Sequence, residues 1–495
     1  MRITTRMMTN NMLSNINKNK QNVSRLEEQQ STGKKIQRPS DDPIIAVRAL
    51  KLRTNLTELK QYYEKNIPDA VSWMDVTESA LVTINDVLRQ INTDCVYGSS
   101  DQLTAQNRSA IAENLREMRN QIYQEGNTNY AGRYVFTGYK TDSPLTFMEG
   151  TTNLQYEISE KFSGKDIQTI SRVSGSYDLT DYDDPAVSFD QAPKMENTYR
   201  IKLSYDKLDN MAMDNIRYSL PLAGGGGEET IANINTISAY DPDAYAPADG
   251  EVNFIYETGE LILSKSVYED LRLADNIELS YTKSSFEKGE LKPEHYFDCV
   301  MTDVSKPELD PVTFTKEKQD IEYEINYNQK LKINTEASDT ISHKIGRDID
   351  DILQCVDDVI VAENKVKEIE RRLEDTNLTN EQASRYEKML EQLETELALK
   401  KEVMQNAFSR GITSSNEEQD KVNVAVADLG SRQVRLRLTE NRLSSQKSDF
   451  TELLSKNEDA DIVDTIINFN AAHMIYNASL MASSKVLQNS LLDFL

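Results

Sequence analysis

Residues 31–50 read STGKKIQRPSDDPIIAVRAL. Gly33, Pro39 and Pro43, with the adjacent acids Asp41 and Asp42, make a stiff corner between two stretches of helical periodicity. A metal loop, a phosphate cradle and a shaped helix start could each use such residues, and the flanking sequence decides between them. Upstream, Met12, Ile16, Asn19, Val23, Leu26 and Gln30 recur at spacings of four and three, which puts them on one seam of a helix. Gly33 supplies a left-handed C-terminal cap at little steric cost. Downstream, a short acid at the N-cap accepts hydrogen bonds from orphan backbone N–H groups and sits at the positive end of the helix dipole. Pro43 fits the first helical turn, where its missing N–H would go unused, and Pro39 pushes Arg38 towards extended backbone. The set Gly33, Pro39, Ser40, Asp41, Asp42 and Pro43 therefore reads as a helix corner that fixes where the second helix starts.

Working outward, the second helix is expected to run towards Tyr63. A third spans about Asp69 to Cys95, with Val71, Met74, Leu81, Leu88 and Ile91 facing a core, and Ile111, Leu115, Met118 and Ile122 mark a fourth. Between about 141 and 330 the period falls to two in NLQYEIS, TYRIKLSY, EVNFIYE, GELILS, NIELSY and IEYEINY, so short strands with turns are expected there. Helical spacing then returns in Ile345, Ile349, Ile352, Val356, Val359, Val366, Ile369 and Leu373. Thr379-x-x-Gln382 opens a helix carrying Leu390, Leu393, Leu397 and Met404 to a stop near Gly411. Ser414-x-x-Glu417 opens another, in which Val422, Leu429, Leu436, Leu443 and Phe450 recur every seven residues. In the last 33 residues Ile466, His473, Leu480, Leu487 and Phe494 form one heptad series, and Ile467, Met474, Met481, Gln488 and Leu495 its neighbour. Together they line about 50 Å of helix, a stripe no single helix can bury on itself. The fold class is mainly α with a β-rich insertion, with two terminal seams that each need a partner.

Composition bounds the function. The 56 basic and 82 acidic residues leave a net charge of −26, which disfavours a nucleic acid partner because like charges repel. Residues 1–60 run the other way, with twelve Lys/Arg against five Asp/Glu, either as a basic interaction arm or as a solvated helix face. Cys95, Cys299 and Cys355 lie far apart and offer neither a disulfide framework nor a zinc ribbon. No apolar leader opens the chain and nowhere do 18 apolar residues run together, so neither a cleaved signal nor a membrane span is expected.

Chemistry finds little purchase. His295, His343 and His473 are remote from one another and from the cysteines, against a metal site or a Ser-His-Asp arrangement, and His473 falls on the helical stripe. Asp181, Asp183 and Asp184 lack the glycine and terminal glutamate of a calcium loop, and Gly224–Gly227 precede two glutamates where a phosphate cradle needs Lys-Ser/Thr. No catalytic residue, cofactor or metal is expected, and the chain is read as no enzyme.

STGKKIQRPSDDPIIAVRALKLRTNL and QYYEKNIPDAVSWMDVTESAL resemble the N-terminal region of the flagellin superfamily, and DLGSRQVRLRLTENRL with NFNAAHMIYNASLMASSKVLQNSLLDFL its C-terminal region. Arg38, Pro39, Ser40, Asp41, Asp42 and Pro43 match the hook–filament junction branch, where filament proteins carry a serine-alanine-lysine-aspartate-aspartate run; AGRYVFTGYKTDSPLTF resembles the same branch. The likeness covers roughly 1–150 and 320–495. It implies export, unfolded and without a cleaved signal, by the flagellar type III apparatus with an export chaperone. It further implies polymerisation as a ring-like homo-oligomer between hook-associated protein 1 and the first flagellin subunits, on the extracellular flagellum. The alternative is the filament subunit itself. The implied domains are 1–40 and 456–495 as coiled-coil halves of an inner core, 41–145 and 331–455 as two parts of a conserved helical domain, and 146–330 as a variable β-rich part. The implied assembly interface is Met12, Ile16, Val23 and Leu26 with Ile466, His473, Leu480, Leu487 and Phe494. An enlarged middle and an extended helical hairpin around Lys365–Gly411 depart from the family.

Overall fold

The computed structural model describes residues 5–100, 103–182, 187–213, 215–220, 228–241, 243–375 and 378–492. Among these the helices are α1 (Thr5–Thr32), α2 (Pro43–Gln61), α3 (Ile67–Gly98), α4 (Ala105–Glu125), α5 (Lys265–Leu271), α6 (His343–Leu373), α7 (Asn380–Glu458) and α8 (Ile462–Leu492). The chain divides into two compact units: residues up to 69 with 324–331 and 434 onward, and residues 70–323 with 332–433.

The second unit is built on the heptad positions. Leu81, Leu88 and Ile91 of α3, Ile345, Ile349, Ile352, Val356, Val359, Val366 and Ile369 of α6, and Val422 and Leu429 of α7 are buried. Helix α4, with Leu115 and Ile122 buried, packs on α6, where Arg108 pairs with Glu363 and Arg119 with Asp350. All six alternating segments are strands or contain one. Among the described residues one sheet runs Gln168–Ser174, Lys194–Lys202, Glu260–Leu263, Val252–Ile255, Ile234–Ile237, the last pair parallel. A second runs Val312–Phe314, Asp298–Asp303, Leu154–Phe162, Asn276–Lys283, Ile216–Ser219, Glu228–Ile231, and two further pairs are two-stranded, Asn129–Tyr130 with Arg133–Tyr134 and Glu322–Asn326 with Gln329–Lys332. Facing residues of the two larger sheets share one core, including Tyr156, Ile158, Ile201, Phe254, Leu261 and Leu279. The outer face of the first sheet meets α6 through buried charge: Arg200 bonds Glu260 and Asp351, Lys202 bonds Asp351, and Arg347 donates to Leu203 O at 3.1 Å. Buried ions so placed are satisfied as a network, because one left unpaired would cost several kcal/mol.

Two expected helix boundaries are not there. α7 does not stop at Gly411 or restart at Ser414; it runs unbroken for 79 residues. A Cβ at Gly411 would lie 2.7 Å from Ile352 Cδ1 and 3.1 Å from Cys95 Sγ, so the glycine lets α7 approach α6 and α3 closely. That packing overrides a propensity cost of about 1 kcal/mol for glycine inside a helix. Likewise α2 and α3 are joined by a π-helical turn, Tyr62–Asn66, in which Ile67 N–H reaches Tyr62 O. Pro68 follows it inside α3, and a widened turn is a common way to carry a proline that would clash with the carbonyl four residues back. The Thr379 box does form: Gln382 N–H donates to Thr379 Oγ1 at 3.2 Å and Thr379 N–H to Gln382 Oε1 at 3.0 Å.

Asp181 accepts from Asp178 N–H at 2.7 Å in a tight turn, while Asp183, Asp184 and Gly224–Gly227 lie outside the described residues. His295 and His343 are buried, and desolvation pushes each imidazole down to about 3. The three cysteines are free thiols, each pushed up to about 12 by burial. Among the described residues no group of three His, Cys, Asp or Glu could hold a metal, and no helix is long and apolar enough to cross a membrane.

Candidate assembly surface of the terminal helices

The first unit contains the corner around Gly33–Pro43. Gly33 has φ +69° and its N–H bonds Gln29 O at 2.9 Å, closing α1 with the left-handed cap that a residue without Cβ takes most cheaply. The two aspartates divide the work. Asp42 is the N-cap of α2, accepting from Ile44 N–H at 3.0 Å and Ile45 N–H at 3.1 Å, with Pro43 at the first helical position. Asp41 points back into the turn and accepts from Arg38 N–H at 2.9 Å and Gln37 N–H at 3.1 Å. Those amides, Arg38 first, hold its carboxyl below the usual range. Pro39 and Ser40 are exposed at the tip of the turn.

A second break faces this one. Between α7 and α8, Asp459 bridges Lys34 in an antiparallel pair; Lys35 N–H donates to Glu458 O at 2.7 Å, and Ala460 N–H to Gly33 O at 2.8 Å. Arg53 of α2 holds the Glu458 carboxylate through Nε at 3.1 Å and through its second nitrogen. Lys34 pairs with Asp459, which raises the ammonium and, with Ser455, lowers the carboxyl. Asn457 donates to Ile45 O at 3.1 Å, and Asp461 opens α8 by accepting from Val463 N–H at 2.9 Å. Sequence reasoning passed over Glu458, Asp459 and Asp461. Only Asp461 had a local signal, as an aspartate three residues before Asp464 at the start of an apolar run.

Beyond the joint α1 packs along α8. Met12, Ile16, Asn19 and Val23 are half-buried and Leu26 is buried, and Asn19 Nδ2 donates to Ser479 Oγ at 2.8 Å. The face of α8 that is covered is Thr465, Phe469, Ala472, Tyr476, Ser479 and Ser483, at spacings of four and three. It is narrow and partly polar, with the rings of Phe469 and Tyr476 set between smaller side chains. The heptad series found in the sequence lies elsewhere: Ile466 is 38% exposed and Leu480 41%, and His473 is exposed with its ring beside Phe469. Their neighbours Ile467, Met474 and Met481 are 59%, 67% and 70% exposed. The structure thus brings Met12, Ile16, Val23 and Leu26 together against α8 but leaves Ile466, His473 and Leu480 on the open side. Leu487 lies on α8, but its side chain, like Phe494, is outside the described residues. The pair thus leaves its broader apolar face in water, and burying that face would release about 25 cal/mol per Å².

The cap is directly testable. Asp42→Ala should cost about 1 kcal/mol at the start of α2. Helical backbone exchange at Ile44 and Ile45 should speed up in a hydrogen-exchange measurement, while Gly33 and Ala460 stay protected. Equal loss of protection at all four would mean that Asp42 holds the whole joint and not one helix end.

Residues 3–141 match the family model described as the bacterial flagellin N-terminal helical region, and residues 412–495 match the bacterial flagellin C-terminal helical region. Flagellar hook-associated protein 3 of Salmonella typhimurium is 33% identical over 144 residues, 29% of this chain and 45% of the relative. A flagellin of Clostridium tyrobutyricum is 32% identical over 122 residues, 25% of this chain and 32% of the relative. The matched stretch thus spans less than half the length of either curated relative. The solved FlgL of Xanthomonas campestris covers 82% of this chain and 99% of its own at 10% identity, but a TM-score of 0.33 is too loose to carry an argument. A flagellin model thus matches at each end of the chain, and the corner, the α1 seam and the α8 stripe lie inside those two matches.

Proposed function

We propose that the chain is a structural component of the bacterial flagellum that forms the junction between hook and filament. The observation that carries this reading is the apolar stripe of α8, left open while α1 occupies the other, narrower face. In this reading Met12, Ile16, Val23 and Leu26 hold the pair together. Ile466, His473, Leu480, Leu487 and Phe494 meet neighbouring copies in a ring, with hook-associated protein 1 on one side and flagellin on the other. The segments 1–40 and 456–495 are the inner core, 41–145 and 331–455 a helical layer, and 146–330 a variable outer part. The chain reaches the flagellum through the type III export apparatus with a chaperone and without a cleaved signal, and it works by assembly, not catalysis. Two of the relatives named above divide the junction and filament readings between them.

Imaging purified flagella with a label on this protein separates the two. Label confined to one short zone where filament meets hook is expected; label along the whole filament makes it a filament subunit. Deleting the gene should leave flagellin exported but unattached.

A further inference from the structure

The strand Leu154–Phe162 turns Tyr156, Ile158 and Glu160 into the sandwich core in strict alternation, so a carboxyl stands where the pattern calls for a third apolar side chain. Glu160 is 2% exposed. From the neighbouring strand Tyr281 O–H donates to Glu160 Oε1. Just beyond the strand Lys194–Lys202, Ser204 donates to the same oxygen from its N–H at 3.2 Å and bonds the carboxyl through its side chain as well. The charged and titratable groups that face it are Tyr281, Tyr205 and Arg347. Both phenols are held far above their ordinary range by burial and stay protonated. Arg347, on α6, spends its guanidinium on Leu203 O and Thr258 O and lies 3.6 Å from Asp206 and from Asp350. Among the described residues Glu160 has no ion-pair partner.

We propose that Glu160 is a proton-operated latch on the β-rich part of the chain: with its proton the carboxyl is one more neutral, hydrogen-bonded core group, and without it the two sheets enclose an unpaired charge and loosen. A buried carboxylate supported only by the neutral donors of Tyr281 and Ser204, with no ion-pair partner, retains part of its desolvation cost, which falls on the ionised form alone. Burial accordingly pushes Glu160 up to about 7, against the pull of Tyr281 and Ser204. The sign follows by linkage. A carboxyl whose folded value lies above its unfolded one contributes stability that is complete below the unfolded value, near 4.5, and is lost as pH rises through about 7.

The test compares the full wild-type chain with Glu160→Gln, which keeps an acceptor for Tyr281 and Ser204 and cannot ionise. Hydrogen exchange of the amides in 154–162 and 276–283, corrected for intrinsic rates, reads the opening of this part alone. Between pH 5 and pH 7 the wild-type opening constant should rise by up to about tenfold per pH unit relative to the variant, the slope of one proton. At pH 8 the variant should be the better protected. Identical pH slopes, or a variant less protected than wild type at pH 8, would overturn the proposal. Should the variant fail to fold, carbon-13 titration of the Glu160 carboxyl in the wild-type chain decides: the latch requires a midpoint near neutrality, and a midpoint in the ordinary glutamate range sinks it.

Discussion

Replacing Ile467 and Met474 by aspartate should leave the isolated chain folded with its unfolding midpoint nearly unchanged, and should abolish attachment of filaments to hooks. Both side chains are more than half exposed on α8 and point away from α1. Surface substitutions of this kind usually change stability by no more than about 0.5 kcal/mol. In an assembled core the same two carboxylates would be buried without partners, at several kcal/mol each. Ala472→Asp is the contrasting case. Ala472 is buried on the face that α1 covers, so a carboxylate there should already separate the helix pair in the free chain. Circular dichroism on heating, with a swarming assay, distinguishes the two faces. A sharp fall in midpoint for the Ile467/Met474 variant would show that the stripe is covered within one chain.

Gly259→Ala should be the most damaging single change in the β-rich part. Gly259 turns the chain between Val252–Ile255 and Glu260–Leu263 at φ +63°, and a Cβ there would lie 1.9 Å from Tyr205 O. Backbone on backbone leaves nothing to rotate away. The left-handed conformation adds about 1–2 kcal/mol for any residue with a Cβ, and the clash must shift the strand pairing of Glu260 with Lys202. We expect loss of protection throughout 194–202, 252–255 and 260–263, with 5–32 and 462–485 unaffected. Motility should be reduced and not abolished, because neither terminal helix is touched. A variant that is exported and soluble yet joins no filament would make the β-rich part an element of the joint.

What could be read in advance follows from the range of the forces involved. Heptads such as Val422, Leu429, Leu436 and Leu443 report burial through spacing alone, and all four are buried. Asp42 and Pro43 act on backbone within three residues, so their role was legible as well. Gly411 was misread because its reason lies 59 residues away in sequence, at Ile352, where two helices must touch. The break expected between Tyr63 and Asp69 is absent because a widened turn there carries the chain into Pro68 without interruption. On α8 the pattern revealed an apolar face but not which face α1 would take; α1 took the one that sets Phe469 and Tyr476 among Ala472, Ser479 and Ser483, a mixture that no heptad pattern marks. Glu458 is invisible for a similar reason, since its value comes from Arg53 and Lys34, remote in the chain.

The facing breaks at Gly33–Lys35 and Glu458–Ala460 have a mechanical consequence. Their main-chain hydrogen bonds lie side by side across two antiparallel segments, and the Arg53 and Lys34 ion pairs flank them. A pull directed along α1 loads these links in shear, all at once, and not one after another as in peeling. The tug on one chain end is therefore shared at once with the other, and neither terminal helix can be drawn out alone without first rupturing the whole set.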